Sequence, residues 1–151
     1  MSRLSSTNDI TFTMPYLNLN LPMAPSSEVA AQAAEVLTRL TAELLGKKPE
    51  LTAVAITATS PESWFVGGRP LPAGQSSFYL DIKVTEGTNT KNEKARYVEA
   101  VFEAMTALLG GLAPASYVVI HEVHADAWGY AGQTQEFRYI RGRTLRGSRR
   151  L

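Results

Sequence analysis

Apolar and polar positions alternate strictly over residues 16–21. Leucines stand at 17, 19 and 21 with Asn18 and Asn20 between them, the period-two signature of a half-buried strand. Just upstream, Ile10, Phe12 and Met14 alternate with Thr11 and Thr13 in the opposite phase, and a one-residue slip of that kind exchanges the two faces of a strand. Pro15 lies at the break. Proline has no backbone N–H and is tolerated at the first residue of a strand but not in its middle. The chain therefore either bulges at Pro15 or starts its functional fold there, with Met14-Pro15 as the opening pair.

The period then changes. Ser26 is placed as a helix N-cap. Val29, Ala33, Val36, Leu37, Leu40 and Leu44 follow at spacings of three and four, one apolar helix face. Gly46 is positioned to stop that helix. Leu51–Thr59 reads as a second strand with Val54 and Ile56 on one face. Residues 60–68 read as a loop or short hairpin arm, and 69–76 as a linker holding two prolines. A second round follows. Phe78–Thr85 is a strand, Thr90-Lys91-Asn92-Glu93 is a capping box, and Val98, Val101, Phe102, Met105, Leu108 and Leu109 make a helix face ending at Gly110. Tyr117–Val123 is the fourth strand, with Trp128-Gly129-Tyr130-Ala131-Gly132 behind it.

The two rounds superpose. Tyr16 falls on Tyr79 at an offset of 63, and after one inserted residue Leu44, Leu45 and Gly46 fall on Leu108, Leu109 and Gly110 at 64. At that same offset Trp64 meets Trp128 and Gly68 meets Gly132. Any two βαβ units share apolar periodicity, but paired tryptophans and glycines exceed that common ground. The expected fold is α/β (α+β): two tandem β-α-β units, parallel within each unit because a helix crosses over. Together they form a four-stranded sheet with both helices on one face. The other face needs a partner, so self-association is expected. The domain is expected over residues 14–137, as units 14–68 and 77–137, between an N-terminal extension (1–13) and a C-terminal tail (138–151).

Composition narrows the partners. The 151 residues are 44% apolar and 19% charged, without cysteine, so neither a disulfide framework nor a thiolate site exists. No apolar run approaches the roughly 18 residues of a membrane span, and no signal-peptide pattern opens the chain; cytoplasm is the expected compartment. The net charge of +1 hides an asymmetry, for six of the fifteen basic residues are arginines within 138–151, which holds no acid. The rest has nine basic and fourteen acidic residues, net −5. A basic tail can meet nucleic acid or acidic lipid. With Tyr139 as its one aromatic it offers no stacking platform, so the expectation is a solvated, disordered end without a nucleic-acid partner. His121 and His124 look like a metal pair, but residues three apart on a strand point to opposite faces, and no metal is expected. No nucleophile elbow or phosphate loop is present.

These residues resemble the tautomerase superfamily of 4-oxalocrotonate tautomerase and macrophage migration inhibitory factor, over about residues 14–137. The carriers are Met14-Pro15 opening a strand, Leu45-Gly46-Lys47-Lys48-Pro49, Trp64-Phe65-Val66-Gly67-Gly68, Thr85-Glu86-Gly87 and Trp128-Gly129-Tyr130-Ala131-Gly132. The resemblance implies a cofactor-free tautomerase or isomerase acting on a small 2-oxo (enol) acid, assembled as a homotrimer. Pro15, freed of the preceding residues, would be the general base, its secondary amine neutral near pH 7 if burial or nearby cations lower its pKa. The plainer alternative is that Pro15 only starts a strand. With residues 1–14 attached its nitrogen is a tertiary amide with no basic lone pair, and the chain would be a non-catalytic binding or assembly protein.

The resemblance further implies that Lys47 faces the substrate carboxylate, the alternative being a surface lysine at a helix end. It implies that Phe78, the second-unit counterpart of Pro15, offers its backbone N–H and a wall, and that Tyr117, Trp128 and Tyr130 line the pocket, although Trp64 and Trp128 serve equally as core. The family's dicarboxylate-binding arginines are missing: Thr88 stands at one position and Ala53 or Tyr117 at the other. A guanidinium fork is not replaced by a hydroxyl. Arg69, Lys83 and Arg138 are the candidate substitutes.

Overall fold

A computed structural model of the protein describes residues 14–149, with side chains to 142. The expectations for residues 1–13, including the alternation of Ile10 and Phe12, lie outside the described residues. The element order is β1 (Tyr16–Leu21), α1 (Ser27–Leu45), β2 (Ala53–Ala58), β3 (Phe65–Val66), β4 (Arg69–Pro70), β5 (Tyr79–Thr85), α2 (Lys91–Leu109), β6 (Tyr117–Val123), β7 (Gly129–Tyr130), β8 (Gln133–Thr134) and α3 (Gln135–Arg149).

The main sheet runs β2-β1-β5-β6. β1 and β2 are parallel, as are β5 and β6, while β1 and β5 meet antiparallel with Tyr16 opposite Lys83 and Asn20 opposite Tyr79. Each crossover is a nineteen-residue helix. The two units are thus related by an approximate two-fold between β1 and β5, which puts corresponding strand ends at opposite ends of the sheet.

The core lies on one sheet face. Leu17, Leu19, Leu21, Leu80, Ile82 and Val84 point inward and are almost wholly buried against Ala33, Leu37, Tyr97, Val101 and Met105 of the helices. Each large aliphatic side chain so buried contributes roughly 1.5–3 kcal/mol. A polar link runs through this layer: Thr41 Oγ1 and the Tyr97 hydroxyl are 2.9 Å apart, and Thr41 Oγ1 also donates to the Leu37 carbonyl at 2.7 Å. The opposite sheet face holds Asn18, Asp81, Lys83 and His121 in partly exposed positions, and neither α1 nor α2 covers it.

Helix ends follow the sequence closely. Ser26 accepts from Val29 N–H, Gly46 is left-handed at φ 71°, and the Thr90–Glu93 capping box is reciprocal. Elsewhere the structure departs from the pattern. The second strand starts at Ala53, because Pro49–Leu51 first makes a 3-10 turn. The third starts at Tyr79, one residue later than expected. Arg69 and Pro70 are not linker: they pair with Val66 and Phe65 across Gly67-Gly68, both at positive φ. The second unit repeats this hairpin, with Ala131-Gly132 at the turn. There Gly129 is obligatory, since a Cβ would lie 1.9 Å from the Gln133 carbonyl oxygen.

The expected boundary at 137/138 falls inside a helix. α3 runs across it to Arg149, because Gln133-Thr134 leads directly into a helix whose first turn is tied down. Gln135 N–H bonds Trp128 O, Glu136 N–H bonds Ala125 O and Phe137 N–H bonds Thr134 Oγ1.

Candidate active site

Pro15 is buried immediately before β1, and its carbonyl accepts from Ala53 N–H at 3.4 Å. Continuing the β1–β5 register by one residue sets Pro15 abreast of Val84, beside Thr85 at the end of β5. That strand end gathers side chains from three directions. Trp128 Nε1–H donates to Thr85 Oγ1 at 3.2 Å. Thr88 Oγ1 donates to the Thr85 carbonyl at 2.7 Å and accepts from Lys47 Nζ at 2.9 Å.

The route that brings Lys47 here is local. Gly46 turns left-handed after α1, Lys47 N–H bonds the Thr41 carbonyl, and the chain reverses. Asn89 Nδ2–H reaches back to the Leu45 carbonyl at 2.9 Å, fixing this turn to the loop after β5. Lys47 ends only 4% exposed. Burial pulls its pKa down from 10.5 to about 8, with the Glu93 carboxylate pulling the other way. No carboxylate lies at ion-pair distance from Nζ among the described residues. A buried ammonium with one hydroxyl partner is a ready receptor for an anion.

Tyr130 is held by α3. The Arg138 guanidinium stacks 3.8 Å over its ring, and Nη2–H donates to its carbonyl at 3.0 Å. Arg138 is thereby engaged with Tyr130, while Lys83 pairs with Asp81 across the open sheet face.

Phe78 and Tyr117 are elsewhere. Phe78 precedes β5, abreast of Leu21 by the same register, and its carbonyl accepts from Tyr117 N–H at 2.9 Å. Six residues of β1 separate that end from Pro15, about 20 Å at roughly 3.4 Å per residue. The Phe78 ring is 0% exposed and tilts against Phe102 at 6.2 Å, so it is core and not a pocket wall. Tyr117 is 57% exposed and lines a cleft of about 400 Å³ with Asn20, Trp64, Phe65 and Tyr79. One protomer therefore keeps the expected site residues apart: Pro15, Lys47 and Trp128 lie at one end of the sheet, Tyr117 and Trp64 at the other.

The sequence pattern does not mark Thr85, or the supporting role of Thr88 beneath Lys47. A threonine at a strand end carries no signal until the strands are paired. His121 and His124 take different carboxylates, Asp81 and Glu86, each at 3.0 Å.

Two βαβ units fused in one chain around a four-stranded sheet, with a proline opening the first strand, define a tautomerase-like α+β protein. Residues 79–138 match the family model of the tautomerase enzymes. A fused 4-OT solved as an asymmetric trimer is 20% identical over 81% of this chain and 97% of its own, with a TM-score of 0.71. A macrophage migration inhibitory factor-like protein from Entamoeba histolytica is 19% identical over 80% and 98%, at 0.67. A third structure, of a protein inactivated by 2-oxo-3-pentynoate, is 15% identical over 81% and 97%, at 0.73. No curated protein matches the chain in sequence. The family match thus covers the second unit, and the fold of both units is the one these solved structures share. Among the described residues no helix is long and apolar enough to cross a membrane.

Proposed function

We propose that this protein is a cofactor-independent tautomerase of small 2-oxo acids, with Pro15 as general base once the peptide bond from Met14 is gone. The observation that carries this reading is Lys47: a buried ammonium, with no carboxylate at ion-pair distance among the described residues, on the hydroxyl relay that ends beside Pro15. The substrate carboxylate binds Lys47, which is protonated at pH 7 with a pKa of about 8. The free Pro15 nitrogen takes a proton from the carbon alpha to the carbonyl. The electrons move onto the carbonyl oxygen, and the proton returns at a different atom to give the other tautomer. No metal or organic cofactor is called on.

The reading includes a homotrimer, in which the exposed Tyr117 of a neighbouring protomer completes the site at Pro15. Trimers are the state of the fused 4-OT relative, and inactivation by a 2-oxo acid is recorded for another. Pro15→Ala is expected to lower phenylpyruvate tautomerisation, followed by absorbance, by about 10²–10⁴-fold while the assembly stays intact. Unchanged turnover would refute the assignment.

A second reading rests on residues 1–14, which precede Pro15 in the chain. If they stay attached, the nitrogen is acylated and the protein is a binding or assembly module of the same fold. Intact mass of the natively expressed protein separates the two.

A further inference from the structure

α3 has two faces of opposite character. Gln135 is 5% exposed and turned, with Arg138, toward the β7–β8 hairpin. Phe137, Ile140 and Arg141, at i, i+3 and i+4, share the other face, and Phe137 and Ile140 are 50% and 55% exposed. This apolar pair stands next to Arg138 and Arg141 in sequence, on a helix whose one acid is Glu136. Its chemical complement exists on α1. There an open trough of about 660 Å³ is lined by the short side chains of Ala34, Thr38, Ala42 and Pro49 together with Glu35, Arg39 and Glu43. Short side chains let a helix approach closely. Arg39 takes part of the Glu43 charge at 3.7 Å, which leaves Glu35 as the trough's excess negative charge.

We infer that the outward face of α3 docks into the α1 trough of a second copy of this chain. The charge balance favours a second copy: residues 138–151 carry six arginines, and the remainder carries a net −5. Different surfaces meet, α3 of one protomer and α1 of the next, so the contact is heterologous, and it forms a ring where the rotation between copies closes. A cyclic trimer satisfies this, and a two-fold dimer does not require it. The inference therefore rests on the trimer proposed above. It adds a strap on the outer, helical side, where the uncovered sheet faces play no part.

The test is a charge exchange read by analytical ultracentrifugation at fixed salt. Arg141→Glu and Glu35→Arg are each expected to weaken the trimer about tenfold, and the double variant to restore it. Ile140→Asp should weaken it as well. A wild-type trimer indifferent to all of these overturns the strap alone, whereas a wild-type monomer at every concentration removes the trimer reading itself. Co-sedimentation of wild type, but not of Ile140→Asp, with phosphatidylserine–phosphatidylcholine vesicles, at unchanged oligomer size, would assign α3 to a lipid surface and overturn the inference.

Discussion

A lysine ammonium taken almost wholly out of water loses hydration that one hydroxyl does not replace. Lys47 is in that position, and its pKa of about 8 states the cost. Below about pH 8 the group is protonated both folded and unfolded, and the full penalty is present. Between about 8 and 10.5 the unfolded chain binds more protons, so stability rises with pH, and above 10.5 the penalty is gone. The interval corresponds to about 3 kcal/mol. Lys47→Met is accordingly expected to raise stability by about 1–3 kcal/mol at pH 7, with the advantage shrinking by pH 10, as urea denaturation at the two pH values would read. The same variant should raise KM for a 2-oxo acid about tenfold or more through the lost carboxylate contact. A residue that destabilises its fold and improves its chemistry is what a binding site entails. Lys47→Met with lower stability at pH 7 would contradict the electrostatic account.

At the scale of elements, the helices are set by their ends and joined through shared core packing and the Thr41–Tyr97 hydrogen bond. Thr90 and Glu93 satisfy each other's backbone N–H groups at 3.1 and 2.9 Å, and these bonds hold the Glu93 carboxyl below its usual range. Thr90→Ala is expected to cost about 1 kcal/mol, measured by thermal or urea unfolding. Its effect should reach Lys47, because Asn89, which ties this loop to the Leu45 carbonyl, also donates to Glu93 at 3.2 Å. Between α1 and α2 the Tyr97 hydroxyl is held neutral, its pKa pushed up to about 12 by burial, with Thr41 as partner.

For the whole molecule, the approximate two-fold between β1 and β5 decides what one protomer can do alone. It copies Pro15 into Phe78 at the far end of the sheet, buries that copy against Phe102, and leaves Tyr117 exposed there. A pocket using both ends needs another protomer. The face bearing Asn18, Asp81, Val119 and His121 is the surface through which such an assembly would form. Val119→Glu is expected to shift the trimer toward monomer, by light scattering, with far-UV circular dichroism unchanged, because the substitution adds a charge beside Asp81 without touching the core. An unaltered assembly would exclude that face.

How much of this was legible follows from the reach of each interaction. Leucines at 17, 19 and 21, the helix faces, Gly46 and the capping box are decided within a few residues by period and backbone hydrogen bonding, so sequence alone determined two βαβ units and their order. The shared tryptophans and glycines at one offset determined that the units repeat. Local pairing obscured smaller features: Arg69-Pro70 closes a hairpin where composition reads linker, and α3 continues through a stretch whose charge reads as a loose tail. The site was decided by tertiary structure. That Lys47 turns inward depends on Thr88, forty-one residues away in sequence, and that Trp128 braces the Pro15 end depends on Thr85, forty-three away. Burial and long-range hydrogen bonds are properties of the paired sheet, and no periodicity in a linear chain encodes which of two chemically similar ends a side chain will reach.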